Sequence, residues 1–382
     1  MSPGERESVQ VRGALPAVRE GVVEHRGGPG ANSTSAPAAP RGSGAAGEGG
    51  KIREPFFDNA KYLAIVLVAM GHSWEPLLAH SRPLLAFYLT VYAFHMPAFV
   101  LISGYLSRGA DLTPGRARKL VTTVAVPYVI FECAYAVFLR LTGSSPHAPV
   151  SLLDPWWLDW FLVALFAWRL TTPLWRVLRW PLPLAVACAS LASLSPGIGH
   201  DLDLQRVLQF LPYYVAGLLL RPAHFALLRR KWLKIVAVPV FTVALGAAYW
   251  LAPRMPYAWL YHRESAQELG APWWSGVLMT LALLVCSLVL TACFLAWVPR
   301  RAAWCTRLGA GTIGGYLLHG FLVKTAVHLG LYRQGWVRTG WGEAAVTLAA
   351  GAVVTLLCTA PVRRAFRWVL EPRLKWAFRT GA

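Results

Sequence analysis

Charge is scarce in this chain of 382 residues: 14% are Asp, Glu, Lys or Arg, against 56% hydrophobic. A soluble domain of that length carries more charge and far less apolar surface, so hydrocarbon is the expected solvent. Acids are scarcer still, 18 against 37 Lys and Arg, giving a formal net charge of +19. Such an excess would suit nucleic acid if the cations formed one face, but they sit between apolar runs, and nucleic acid is not an expected partner. The six cysteines (Cys133, Cys188, Cys286, Cys293, Cys305, Cys358) include no C-x-x-C pair, so neither a metal site nor a disulfide framework is implied. No G-x-x-x-x-G-K or G-x-G-x-x-G run stands between a strand and a helix, and Gly311, Gly314 and Gly315 are expected to serve helix packing. Residues 1 to about 50 lack a basic stretch followed by an apolar core, so no cleavable signal peptide is expected and the first hydrophobic helix is expected to direct insertion. There is no repeat of solenoid period and no soluble domain large enough to fold alone.

What is present is a series of apolar runs. Residues 1–50, rich in Gly, Ala, Pro and Ser, read as a disordered cytoplasmic tail. Beyond them, runs long enough to cross about 30 Å of hydrocarbon recur at 58–79, 84–106, 119–140, 155–175, 181–196, 205–220, 233–251, 273–297, 309–329 and 343–362. The expected fold is therefore all-α and polytopic, with about ten transmembrane helices over 51–370 and a short basic tail over 371–382. Alternate loops differ in charge. One set carries Arg108, Arg116, Arg118 and Lys119, then Arg169, Arg176 and Arg179, then the cluster from Arg221 to Lys234, then Arg300, Arg301 and Arg307; the opposite set is sparse in cations and holds Asp201, Asp203, Glu264 and Glu268. Since Lys and Arg concentrate on the cytoplasmic side, both termini are expected there, in a multi-pass protein of the plasma membrane.

Ionisable groups at membrane depth each need a partner, a watery cavity or a function. The first run holds Asp58, Lys61, His72 and Glu75. Eleven residues of helix return to nearly the same direction, so Lys61 and His72 share a face roughly 16 Å apart. Glu75, three residues beyond His72, is placed to hold one imidazole tautomer. Two more histidines, His95 and His319, fall at similar depth, which suggests a shared polar cavity, although each taken singly reads more readily as a structural hydrogen-bonding group than as a catalyst. Lys324 reads as a side chain snorkelling to the interface.

These residues resemble the acyltransferase-3 membrane proteins, especially the branch of fucose 4-O-acetylase-like acetyltransferases. The first-helix pattern of a basic residue and a histidine is matched by Lys61 and His72, with Asp58 upstream, and the second-helix signature by Phe94, His95, Met96, Pro97, Ser103, Gly104 and Tyr105. The basic stretch leading to a Pro-Tyr pair (Arg118, Lys119, Pro127, Tyr128), the segments beginning at Trp160 and Phe210, and YLLH ending at His319 follow in the family's order. The family more often has Arg where this chain has Lys61; Lys keeps the charge but loses the bidentate fork.

The resemblance implies an acyl-CoA donor, usually acetyl-CoA, no metal, and a hydroxyl acceptor, commonly on a sugar or envelope polysaccharide. It points to His72 as the essential histidine. Imidazole suits the base that takes the acceptor's proton near neutral pH. Ser103 or His95 is the expected donor to the tetrahedral oxyanion, and Arg116, Arg118 and Lys119 are candidates to hold the donor's phosphates, although the positive-inside bias predicts the same residues. A secondary transporter or proton-coupled carrier stays open as an alternative, because intramembrane His, Lys and Glu also build proton relays. Against it stand the lack of internal symmetry and of a matched pair of broken helices. A non-catalytic membrane partner of the same fold is a third reading, and oligomeric state is not legible.

Overall fold

A computed structural model describes residues 54–109, 111–144 and 150–378. The tail expected over 1–50 lies outside them, as does the end of the C-terminal tail. Every regular element among the described residues is a helix. Five stretches are long and apolar enough to cross a membrane: Arg82–Ser107, Pro114–Leu141, Lys231–Leu251, Trp273–Trp297 and Gly340–Leu357. Their outward faces carry bare apolar side chains such as Ile235 (70% exposed), Val243 (71%) and Leu348 (72%). Only lipid makes so much exposed hydrocarbon tolerable on helices whose backbone groups pair internally. The protein is a membrane protein.

The chain opens on α1 (Pro55–Trp74), started by Pro55 at its first position, where the missing N–H costs nothing. The second run is two helices, α2 (Arg82–Tyr92) and α3 (His95–Ser107). Pro97 explains the interruption: it has no N–H to give, and its ring crowds the carbonyl four residues back. The π turn Val121–Ala125 joins α4 (Pro114–Leu120) to α5 (Val126–Leu141). Then come α6 (Trp160–Val177), α7 (Pro181–Leu194), α8 (Leu204–Gln209), α9 (Leu211–Leu219) and α10 (Pro222–Leu227). Pro212 parts α9 from α8 as Pro97 parts α3 from α2. The long helices α11 (Lys231–Leu251) and α12 (Trp273–Trp297) follow, and α13 (Thr312–His328) and α14 (Gly340–Leu357) close the bundle. Two interrupted helices therefore exist where none was expected, because a proline one or two residues into a segment reads as a start signal as easily as a break.

The interrupted helices pack on each other. The α3–α9 pairing is the most extensive among the described residues. At the crossing, a Cβ on Gly104 would run into the Tyr214 carbonyl, and one on Gly217 into the Leu101 carbonyl. Small residues here let two backbones touch, the usual basis of helix association in lipid. Gly311 and Gly315 play the expected part between α13 and α14, each lying against Cys358.

One buried amide fastens the start of α1 to the segment before α13. Asn59, fully buried, donates to the carbonyls of Pro299 (2.8 Å) and Arg301 (3.1 Å), and its oxygen accepts from Thr306 Oγ1 (2.7 Å) and Cys305 Sγ (3.3 Å). Each polar port of the side chain is thus used, as burial demands.

Gly104→Val and Gly217→Val are each expected to lower stability by about 1–3 kcal/mol, as overpacking does. Since they press on one crossing, the double substitution should cost less than the sum. Thermal unfolding in detergent micelles measures this, and additive losses would mean that the two glycines do not share a contact.

Candidate active site

The site is built where α1 ends. The helix gives way to a 3-10 turn, Glu75–Leu77, that brings the Glu75 carboxylate back onto the His72 ring. His72 Nδ1 and Glu75 Oε1 are 2.7 Å apart. Tyr92, the last residue of α2, donates its hydroxyl to the same carboxylate oxygen at 2.8 Å and lies 3.2 Å from His72 Nδ1. A carboxylate accepts only, so Nδ1 carries a proton, and in the neutral ring Nε2 keeps its lone pair. The Trp157 indole meets the His72 ring edge-on with centroids 4.6 Å apart, and the His319 ring lies at 5.5 Å.

Trp157 reaches that position from a backbone with φ of +42°, in the left-handed region that a bulky residue seldom adopts. Strain of this kind is held where the surroundings over-determine it, often at functional sites. The Lys324 ammonium stands 4.0 Å from the centroid of the same indole. The expectation of a snorkelling Lys324 is therefore replaced: its stem comes from α13, and its charge borders the site.

His72, Glu75, Tyr92, Trp157 and Lys324 line a cavity of about 400 Å³ with His95, Trp160, Arg206, Phe210, Tyr261, Arg263, Glu264 and Tyr316. One side is closed by the segment between α11 and α12, through Ala258, Leu260, Tyr261, Arg263 and Glu264. That segment is pinned from below. His262 donates Nδ1–H to Gln209 Oε1 (3.1 Å), and Gln209 donates to the Glu264 carbonyl (3.2 Å). Burial, with the Arg206 charge nearby, pushes His262 down to about 4, so it stays neutral in this role. Arg206 ties the same segment down through the Tyr261 carbonyl (3.1 Å) and pairs with Asp203 (3.1 Å).

A second cavity, of about 190 Å³, lies on the other side of Met96 and Tyr316, which line both. Its walls are mostly apolar, with Phe99, Phe161, Leu162, Leu165 and Ile313; its polar groups are Lys61, Ser103, Arg169 and Thr312. Lys61 and His72 thus belong to different cavities at the two ends of α1. Lys61 is paired with Asp58 at 2.8 Å.

A family model for an acyltransferase domain matches residues 54–363. The chain belongs to the acyltransferase-3 family. This makes it a membrane-embedded O-acyltransferase. Two proteins named nodulation protein NolL are similar to it. That of Mesorhizobium japonicum is 25% identical over 365 residues, covering 87% of this chain and 93% of its own length. That of Sinorhizobium fredii is 28% identical over 145 residues, covering 34% and 39%. No solved structure matches the chain.

The acyltransferase gathers some of the residues singled out from sequence and separates others. His72, Glu75 and His95 share the larger cavity. His95 is fixed by the break before α3: its Nδ1 donates to the Val91 carbonyl (2.9 Å), so Nε2 is an acceptor and cannot donate to an oxyanion from this tautomer. His319 is held likewise, Nδ1 to the Gly315 carbonyl (3.0 Å), and packs behind His72 without lining the cavity. Ser103 lies in the smaller cavity, away from His72, which does not fit the expected oxyanion role there. Arg116, Arg118 and Lys119 are on α4 and line neither cavity. Arg116 caps the Gly109 carbonyl (2.6 Å), and Arg118 lies over the Phe378 ring (4.9 Å). Among the described residues no cluster of three or more His, Cys, Asp or Glu has the spacing to hold a metal. Sequence reading gave no site role to Tyr92, Trp157, Arg206, Tyr261 or Tyr316; the run of two tryptophans before α6 and the YLLH motif that begins at Tyr316 were the visible signals.

Loss of the Tyr92 hydroxyl removes one hydrogen bond to Glu75, so Tyr92→Phe is expected to slow acyl transfer about fivefold, equivalent to ~1 kcal/mol. Glu75→Gln loses the orienting charge and should cost about 10²-fold or more. Initial rates in membranes at matched expression would show this order; a Glu75→Gln enzyme as fast as wild type would remove the carboxylate from the site.

Proposed function

We propose that this acyltransferase moves an acyl group, acetyl in the ordinary case, from acyl-CoA to a hydroxyl of a carbohydrate, either an envelope sugar or a glycosylated metabolite. The observation that carries this reading is the His72–Glu75 pair with Nε2 left for a cavity walled by aromatic rings. Tyr92, Trp157, Trp160, Phe210, Tyr261 and Tyr316 offer flat apolar faces of the kind that cover a sugar ring, and Arg206, Arg263 and Glu264 offer charged partners for hydroxyls. His72 Nε2 takes the acceptor's hydroxyl proton as the oxygen attacks the thioester carbonyl. The oxyanion of the tetrahedral intermediate is met by the Lys324 ammonium, a cation of this cavity with no carboxylate within ion-pair distance among the described residues. Collapse breaks the C–S bond, the thiolate takes the proton back from His72, and ester and free thiol leave with the enzyme restored. Glu75 stays ionised throughout and holds the imidazole.

The route follows from the charge bias of the loops. With both termini on the cytoplasmic side of the plasma membrane, the Lys61 end of α1 faces the cytoplasm and the donor, and the segment between α11 and α12 faces the far side and the acceptor. Residues 51–370 form the catalytic unit, and the segments before and after it lie in the cytoplasm. Reporter fusions at either terminus should be active only in their cytoplasmic form; activity of a periplasmic reporter would reverse the route.

The deciding assay is transfer of labelled acetyl from acetyl-CoA to cell-envelope or small-molecule acceptors, in membranes holding wild type or His72→Ala. Transfer is expected to fall about 10²- to 10⁴-fold, the usual contribution of a general base. Equal labelling in both would remove His72 from the reaction, and no labelling in either would overturn the donor or the acceptor.

A further inference from the structure

Arg169 stands in the α6 helix, about two turns before the basic loop with which sequence reading grouped it, and lines the smaller cavity. Its charge is left over: among the described residues Arg169 makes no hydrogen bond, ion pair or stacking contact with an aromatic ring. A half-buried guanidinium at membrane depth is costly to keep without an acceptor. Its neighbours in the cavity have no carboxylate. They are Lys61, whose charge is shared with Asp58, the hydroxyls of Ser103 and Thr312, and apolar side chains. Thr312 and Ile313 are also the first residues of the 17-residue helix α13, whose N-terminus has no side-chain cap. That helix follows directly on the 3-10 turn Trp304–Gly311, and the positive end of its dipole adds to the same anion-attracting field.

The geometry points to Arg169 as the anchor of a phosphate-binding subsite, with Lys61 and the first turn of α13 as its other walls. A guanidinium meets two phosphate oxygens at once with parallel N–H bonds, which Lys61 cannot do. The inference rests on acyl-CoA being the donor and goes beyond it by naming where the phosphate next to the pantetheine arm is gripped. Reach agrees with this. The arm from that phosphate to the sulfur has the length of about four extended residues, roughly 15 Å. The rise along α1 from Lys61 to His72 is eleven residues, about 16 Å. A phosphate held by Arg169 beside Lys61 thus lets the arm run along the apolar wall, pass Met96 and Tyr316, and deliver the thioester to His72.

The test is equilibrium binding of labelled acetyl-CoA to the purified full chain in nanodiscs of neutral lipid, competed by S-acetyl-4′-phosphopantetheine and by S-acetylpantetheine. Wild type is expected to prefer the phosphorylated competitor by about tenfold or more, the discrimination of one lost charge-assisted bidentate contact. Arg169→Gln should erase that preference and leave S-acetylpantetheine binding as in wild type, which also shows that the variant is folded. Arg169→Lys should restore part of it. A preference that survives in Arg169→Gln, or equal weakening of both competitors, overturns the subsite while leaving the donor intact. A wild type that binds no acetyl-CoA overturns the donor and the subsite together. If anionic lipid added to the nanodiscs displaces acetyl-CoA from wild type but not from Arg169→Gln, the same subsite also accepts a lipid headgroup phosphate; if it displaces neither, the phosphate is the donor's alone.

Discussion

A single carboxylate oxygen organises the centre of this protein. Glu75 Oε1 receives both the His72 imidazole and the Tyr92 hydroxyl, and each of the three groups would be expensive in an apolar bundle without the others. The contact needs three local decisions of the chain at once. The α1 helix must stop at Trp74 so that Glu75 can turn back, α2 must end at Tyr92 so that its hydroxyl points inward, and the backbone at Trp157 must take a strained conformation so that the indole closes on the imidazole. At the break in the second run the Val91 carbonyl receives both the Phe94 N–H (3.1 Å) and the His95 ring (2.9 Å), so the end of α2 sets the direction of the first side chain of α3.

The two cavities differ in polarity. The smaller is oily with a cationic end, the larger is aromatic with mixed charge, and Met96 and Tyr316 are the shared wall. Because α1 carries Lys61 into one and His72 into the other, the helix acts as a ruler between them. On the proposed reading, donor and acceptor have no need to compete for the same space, and water is kept from the thioester until the acceptor hydroxyl is in place.

Helix positions were legible because apolar runs of spanning length announce themselves, and the ends of α11 and α12 fall within two residues of the runs read from sequence. The breaks at Pro97 and Pro212 were not, since proline both starts and interrupts helices. His72 and Glu75 were visible through their spacing on one helix, a relation that sequence encodes directly. Lys324 and Arg169 were misread for a common reason. A cation near the end of an apolar run looks the same whether it escapes to the interface or turns inward, and only the packing of α6 and α13 against α1 and α3 decides which. Ser103, expected beside the oxyanion, lines the cavity that His72 does not, because depth in the membrane is not proximity across the bundle.

The glycine crossing of α3 and α9 has a mechanical consequence. Backbones in direct contact cannot slide or tilt independently, so the broken helices behave as one rigid strut, with the pinned segment between α11 and α12 fastened to its α8 end through Gln209. On the proposed reading, breathing that admits a bulky acceptor then comes from unfastening those few hydrogen bonds, which makes the polar latch around His262, rather than the helical frame, the part of the molecule that sets how wide a substrate range can be.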